Sequence, residues 1–135
     1  MLSHNVKAYG AQDANSQLGA LTITRRALNA DDVQIDIRYC GVCHSDLHTA
    51  RNEWKSTQYP CVPGHEIIGQ VSAIGDAVSD VQLGDWVGVG CMVDSCGHCS
   101  SCSQSLEQYC DSGFTGTYNG PVFGGENTYG GYSQS

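Results

Sequence analysis

Cys96, Cys99, Cys102 and Cys110 follow one another as C-x2-C-x2-C-x7-C, and nothing else in the sequence restricts the fold as tightly. Gaps of two residues let successive thiolates curl around one ion, and the longer return lets the chain close a tetrahedron. Four thiolates at ~2.3 Å make a closed structural zinc site with no room for a substrate. Its role would be to hold an irregular lobe together. Iron–sulfur ligation is a rival, since cluster motifs also use two-residue gaps. Disulfides are the other, but closely spaced cysteines make poor disulfide frameworks. The spacing therefore favours metal.

The remaining composition narrows the class. The 135 residues suffice for one domain with a real core. Hydrophobic residues at 40% and charged residues at 15% are those of a globular chain, and 17 glycines favour a β-rich fold with many turns and bulges. A net charge of −8 repels phosphate backbones, so nucleic acid is not an expected partner. No apolar run could span a bilayer, so no membrane is expected. The first twenty residues lack a basic start followed by an apolar stretch, which makes the cytoplasm the expected location.

Strand signals dominate the chain. Val33, Ile35, Ile37 and Tyr39 alternate with Gln34, Asp36 and Arg38, as in a half-buried strand with the apolar set facing inward. Leu21 to Thr24 alternates in the same way. Ile67 to Ile74, bounded by Gly64 and Gly75, reads as a buried strand, and Leu83-Gly84-Asp85-Trp86 reads as a turn before a strand at Val87 to Val89. Only two helical segments are expected: one capped by Ser45 or Asp46 and running to Arg51, and a turn around Ser103 to Tyr109. The seven glycines between Gly113 and Gly131 predict a long loop. Gly88-Val89-Gly90 begins like a dinucleotide fingerprint, but Val93 stands where the third glycine belongs and no helix pattern follows.

A second constellation runs Cys40-Gly41-Val42-Cys43-His44-Ser45-Asp46-Leu47-His48 and then Pro63-Gly64-His65-Glu66. A thiolate and an imidazole from separate segments suit zinc. Cys40 and Cys43 also form a C-x-x-C pair, yet no helix long enough for a thioredoxin-like unit follows. His65-Glu66 resembles the start of a metalloprotease helix, but Gly69 stands where its second His belongs. Ordinary core or turn residues are the remaining reading.

Taken together, YCGVCHSDLH (39–48), YPCVPGHEIIG (59–69), LGDWVGVG (83–90), CMVDSCGHCSSCSQSLEQYC (91–110) and GGYSQS (130–135) resemble the zinc-dependent medium-chain alcohol dehydrogenases, nearest their cinnamyl-alcohol-dehydrogenase-like branch. The resemblance covers nearly the whole chain. It implies a mainly β, GroES-like catalytic domain over 1–135, with short helices, a partly open barrel and a structural-zinc lobe at about 91–111. It implies that Cys43 and His65 hold a catalytic zinc, that Glu66 swings onto the metal in some states, and that Asp46 holds the His65 ring from behind. The implied reaction is hydride transfer between a primary alcohol or aldehyde and NAD(P). Zinc polarises the oxygen, and Ser45 relays a proton toward His48. His44 is similar to the position that meets the cofactor pyrophosphate, and Trp54 is a candidate wall of the substrate pocket. Cys40, Cys61 and Cys91 match no ligand position and read as small buried residues. Other readings are a non-enzymatic zinc-binding fragment and a zinc-dependent reductase of another carbonyl.

Members of this family run to more than twice this length. The resemblance therefore implies a Rossmann cofactor domain, a further cysteine ligand and closing strands that are not among these 135 residues. The chain alone is then expected not to turn over. It is expected to form a homo-oligomer through uncovered strand edges, with Gly113 to Ser135 poorly ordered unless a second copy pins it. The Tyr59–Pro60 bond is expected to be cis, since an aromatic residue before proline eases that form and the family commonly has it here.

Overall fold

The structure is a computed structural model, and it describes residues 2–120 and 126–135. Among the described residues, seven strands and one short helix carry the fold: β1 (His4–Gly10), β2 (Gly19–Arg25), β3 (Val33–Cys40), α1 (His44–Ala50), β4 (Ile67–Ile74), β5 (Trp86–Val89), β6 (Met92–Asp94) and β7 (Thr115–Gly116). Two single-turn 3-10 helices, Cys102–Gln104 and Glu107–Tyr109, lie in the cysteine lobe. The strands pair antiparallel in three sheets, β1-β2, β3-β4-β5 and β6-β7, and the barrel is not closed.

β1 and β2 build the core. Alternation puts Val6, Ala8 and Gly10 of β1 inward, and Val6 faces Ile23 of β2. Val6, Ala8, Ile23 and Val62 form the buried cluster, with Leu21, Tyr129 and Tyr132 packed against it. Burying Val6, Ile23 and Val62 contributes about 1.5–3 kcal/mol each, so this small cluster is a main source of stability.

β3 does not alternate cleanly, and Tyr39 is not an inward residue: it is 69% exposed. The ladder explains why. Ile37 pairs with Gly69 and Tyr39 with Ile68, so Arg38 is an extra residue. A bulge of one residue reverses the face on which all later side chains stand. Cys40 thereby turns toward the interior. β4 is buried on one face only, through Ile67, Gly69, Val71 and Ala73, while Ile68 is exposed. The helix begins earlier than expected. Cys43 is its N-cap, and Asp46, instead of starting the helix, reaches back to accept the Cys43 backbone N–H at 2.9 Å.

The glycine-rich end is better held than its composition suggests. Residues 121–125 lie outside the described residues. From 129 onward the chain returns as a strap over the core. Gly130 N–H donates to Val62, Gly131 N–H to Gly64 and Tyr132 N–H to Pro63, all backbone carbonyls at 2.7–3.0 Å. Tyr9 N–H donates to the Tyr132 carbonyl and Ile37 N–H to the Gln134 carbonyl. Arg25 clamps the strap through the carbonyls of Ser135 and Tyr129 and the hydroxyl of Ser133, at 2.9–3.0 Å. The expectation that this stretch needs a second copy to pin it is therefore wrong for 129–135: the chain's own backbone does so.

Candidate metal centres

The lobe of residues 91–116 has little apolar packing of its own, and its cysteines converge instead. The sulfurs of Cys96, Cys99, Cys102 and Cys110 all lie within 4.8 Å of one another, and none is in a disulfide. A tetrahedron with ~2.3 Å metal–sulfur bonds sets its sulfurs about 3.8 Å apart. Cys96 and Cys102 Sγ are 3.9 Å apart. A multi-iron cluster would interpose its own atoms and spread the thiolates further, so the spacing suits a single ion. Backbone amides already point at the sulfurs. Cys99 N–H donates to Cys96 Sγ at 3.4 Å, and Cys96 N–H donates to Cys110 Sγ at 3.4 Å. Amides of Asp111 and Cys102 pull the Cys99 thiol down to about 6, which favours the ionised form that binds metal.

The second centre joins two segments. α1 carries Cys43 at its cap, and the segment after the cis Tyr59–Pro60 bond carries His65 and Glu66. One donor atom from each of these three lies within 4.8 Å of the others, which fits one ion. Two glycines allow the approach. Gly64 adopts φ +103, and a Cβ there would meet Cys40 Sγ at 2.7 Å and the Tyr132 ring at 2.9 Å. A Cβ on Gly41 would strike the Glu66 carboxylate at 2.2 Å.

Asp46, 3% exposed, welds the two segments. Its carboxylate accepts from the backbone N–H of Gly64 at 3.0 Å, from the Cys43 N–H, and from the Tyr132 hydroxyl at 2.9 Å. No hydrogen bond to the His65 ring is among these three. Nor does Ser45 reach His48. Its hydroxyl donates to Cys43 Sγ at 3.2 Å and accepts from Tyr118 at 3.4 Å. His48 Nδ1 is engaged by Glu53 instead, and that contact, above all, lowers the Glu53 carboxyl. His44, His48 and Trp54 form a tilted ring ladder with centroids 4.6 and 5.1 Å apart.

A cavity of about 270 Å³ opens beside this centre, lined by Ser45, Trp54, His65, Cys91, Tyr118 and others. Trp54 thus stands at a pocket wall while 59% exposed. Cys61 is buried, and burial pushes its thiol up to about 11. Cys40 is half-buried. Cys91 is exposed on the cavity edge, contrary to its reading as a buried residue, because it lies in the turn between β5 and β6. Tyr118 and Glu53 were not singled out by sequence reasoning. No helix among the described residues is long and apolar enough to cross a membrane.

Comparison with known proteins follows the same line. Residues 29–135 match the alcohol dehydrogenase GroES-like domain. The chain is 57% identical over 130 residues to the aldehyde reductase YahK of Escherichia coli, covering 96% of this chain and 37% of that protein. It is 50% identical over 131 residues to a probable cinnamyl alcohol dehydrogenase of Arabidopsis thaliana, covering 96% and 36%. Among solved structures it matches a Helicobacter pylori cinnamyl alcohol dehydrogenase complexed with NADP(H), with TM-score 0.93, 38% identity and coverage of 98% and 39%. A cinnamyl alcohol dehydrogenase from Sorghum bicolor matches with TM-score 0.92, 41% identity and coverage of 97% and 37%. The chain spans a little over a third of the length of these relatives.

Proposed function

The chain belongs to the zinc-dependent medium-chain alcohol dehydrogenase family, and from that premise we propose that it is the catalytic domain of an NADP-dependent enzyme interconverting primary alcohols and aldehydes. The observation that carries this reading is the convergence of Cys43, His65 and Glu66 beside a cavity lined by Ser45 and Trp54. Cys43, His65 and Glu66 would hold the catalytic zinc, and Cys96, Cys99, Cys102 and Cys110 the structural one. When bound, the catalytic zinc supplies a Lewis acid that polarises a carbonyl or alcohol oxygen.

The chain's own groups do the rest. Ser45 borders the cavity and can exchange a proton with an alcohol oxygen seated there. Passage on to His48 requires a bridging hydroxyl or water, because Ser45 and His48 share no hydrogen bond. Glu53 occupies His48 Nδ1, which leaves Nε2 as the exchanging nitrogen. Trp54 forms one wall of the cavity. His44, tilted against His48, would meet the cofactor's pyrophosphate. The hydride carrier of such an enzyme is the nicotinamide, and these residues would contribute the zinc-binding side of the site.

The setting is cytoplasmic, and the protein is a homo-oligomer. Exposed Ile68 and Trp86 on the outer face of β4 and β5 support an association surface. Elemental analysis tests the central claim. Two zincs per chain are expected, with Cys43→Ser losing one and Cys99→Ser losing the other. Two zincs persisting in Cys43→Ser would remove the catalytic centre from the reading. Light scattering that finds only monomer would remove the assembly.

A further inference from the structure

A metal-ligating imidazole is normally oriented by a hydrogen bond to its second ring nitrogen. His65 makes no such bond among the described residues. What meets it is a ring: Tyr118 lies flat against His65, with centroids 5.5 Å apart and planes within 5° of parallel. The Tyr118 hydroxyl donates to Ser45 at 3.4 Å, and Ser45 donates in turn to Cys43 Sγ at 3.2 Å. One side chain thus touches His65 itself and the support of Cys43, two of the three residues of the centre and from separate segments. Its backbone is pinned on either side. Thr117 N–H donates to the Cys91 carbonyl at 3.1 Å, and Asn119 N–H donates to the Thr128 carbonyl at 3.0 Å. Asn119 Oδ1 also accepts from Gln58 N–H at 2.8 Å.

We propose that Tyr118 is the positioning residue of the Cys43–His65–Glu66 centre, its ring fixing the His65 imidazole in place of the missing hydrogen bond and its hydroxyl fixing Ser45 against the Cys43 sulfur. This inference rests on the metal reading above. The ring carries the larger share, because it meets the ligand itself, whereas the hydroxyl acts through Ser45 over a long hydrogen bond. Tyr118 also ties the lobe to the centre, since β7 and the residues after it bring it there from the far side of the cysteine loop.

The test uses the whole chain with the four-cysteine site filled by zinc. It compares wild type, Tyr118→Phe and Tyr118→Leu in two measurements. In the first, cobalt(II) is titrated into the second centre and read by its absorption. Tyr118→Leu is expected to weaken binding about tenfold or more, the range seen when groups that orient metal ligands are removed. Tyr118→Phe, which keeps the ring, is expected to stay near wild type in affinity while shifting the sulfur-to-cobalt band. In the second, without metal in that centre, the His65 Hε1 resonance is followed by NMR. Its ring-current shift should survive in Phe and vanish in Leu. Wild-type amide shifts in the β1-β2 ladder show that each variant is folded. If Leu loses them, Tyr118→Met, flexible and of similar size, takes its place. Equal cobalt affinity in wild type and the ring-less variant, or an unmoved His65 resonance, overturns the proposal. A wild-type chain that takes up no cobalt beyond the lobe instead overturns the metal reading, and this inference falls with it.

Discussion

Asp46 has two carboxylate oxygens and three donors aimed at them: the amides of Cys43 and Gly64 and the Tyr132 hydroxyl. An asparagine has one acceptor oxygen and would turn an N–H toward one of those donors. Asp46→Asn is therefore expected to cost about 2–3 kcal/mol in chemical denaturation, since buried hydrogen bonds to a charged group are worth about 1.5–3 kcal/mol. A loss below about 0.5 kcal/mol would contradict this role. Cys99 offers a pH readout. Two amides lower its thiol from 9.0 to about 6, so its ionised form favours the folded lobe fully above 9 and loses that contribution as pH falls through about 6. In the metal-free chain, iodoacetamide at pH 7 should label Cys99 before Cys61, with labelling of Cys99 fading below pH 6, as peptide mapping would show. The convergence of the four lobe cysteines was legible because spacing alone brings such thiolates together, whereas Cys43, His65 and Glu66 were singled out through the resemblance. Tyr118 was not, because it sits in a stretch without periodicity, and its partner His65 is distant in sequence. Glu53 was not, because an acid five residues past a histidine is commonplace on a helix end.

Among the elements, the cysteine lobe has little burial to shape it, and the proposed metal would supply what burial does not. Its two strands are short, and three of its turns need positive φ, at Gly97, Ser105 and Gly113. Chelation should strip hydrogen-exchange protection from residues 95–111 while the β1-β2 ladder keeps its own, because bound metal supplies the folding energy of such loops. Equal protection with and without chelator would mean that the lobe stands without an ion. β3, β4 and β5 were legible from their alternation and β-branched residues, and the ends of β4 fell where its bounding glycines put them. Three things were not. The bulge at Arg38 leaves no mark in composition, and it sends Tyr39 outward. β1 packs through Val6, Ala8 and Gly10, too small a set to announce a strand. The strap at 129–135 takes its hydrogen bonds from carbonyls at 62–64, and no local pattern records pairing at that separation.

Across the molecule, Arg25 is the residue on which the strap depends. Its guanidinium is largely buried, and burial pulls its pKa down, yet three oxygens of the strap accept from it. Arg25→Ala should free residues 129–135. Hydrogen exchange should then accelerate at the amides of Tyr9 and Ile37, which donate to Tyr132 and Gln134, while amides joining β1 to β2 stay slow. Unchanged exchange at both would show that the backbone bonds alone hold the strap. The strap also sets an order of assembly as the chain emerges from the ribosome. The four lobe sulfurs belong to one loop and can meet an ion as soon as Cys110 is out. Cys43 and His65 are made much earlier, yet the carboxylate that aligns them waits for the hydroxyl of Tyr132, and the turn at Gly64 waits for the backbone of Gly131. The centre whose ligands are synthesised first is thus the last to take its shape, and newly made chains should acquire their lobe metal before the other.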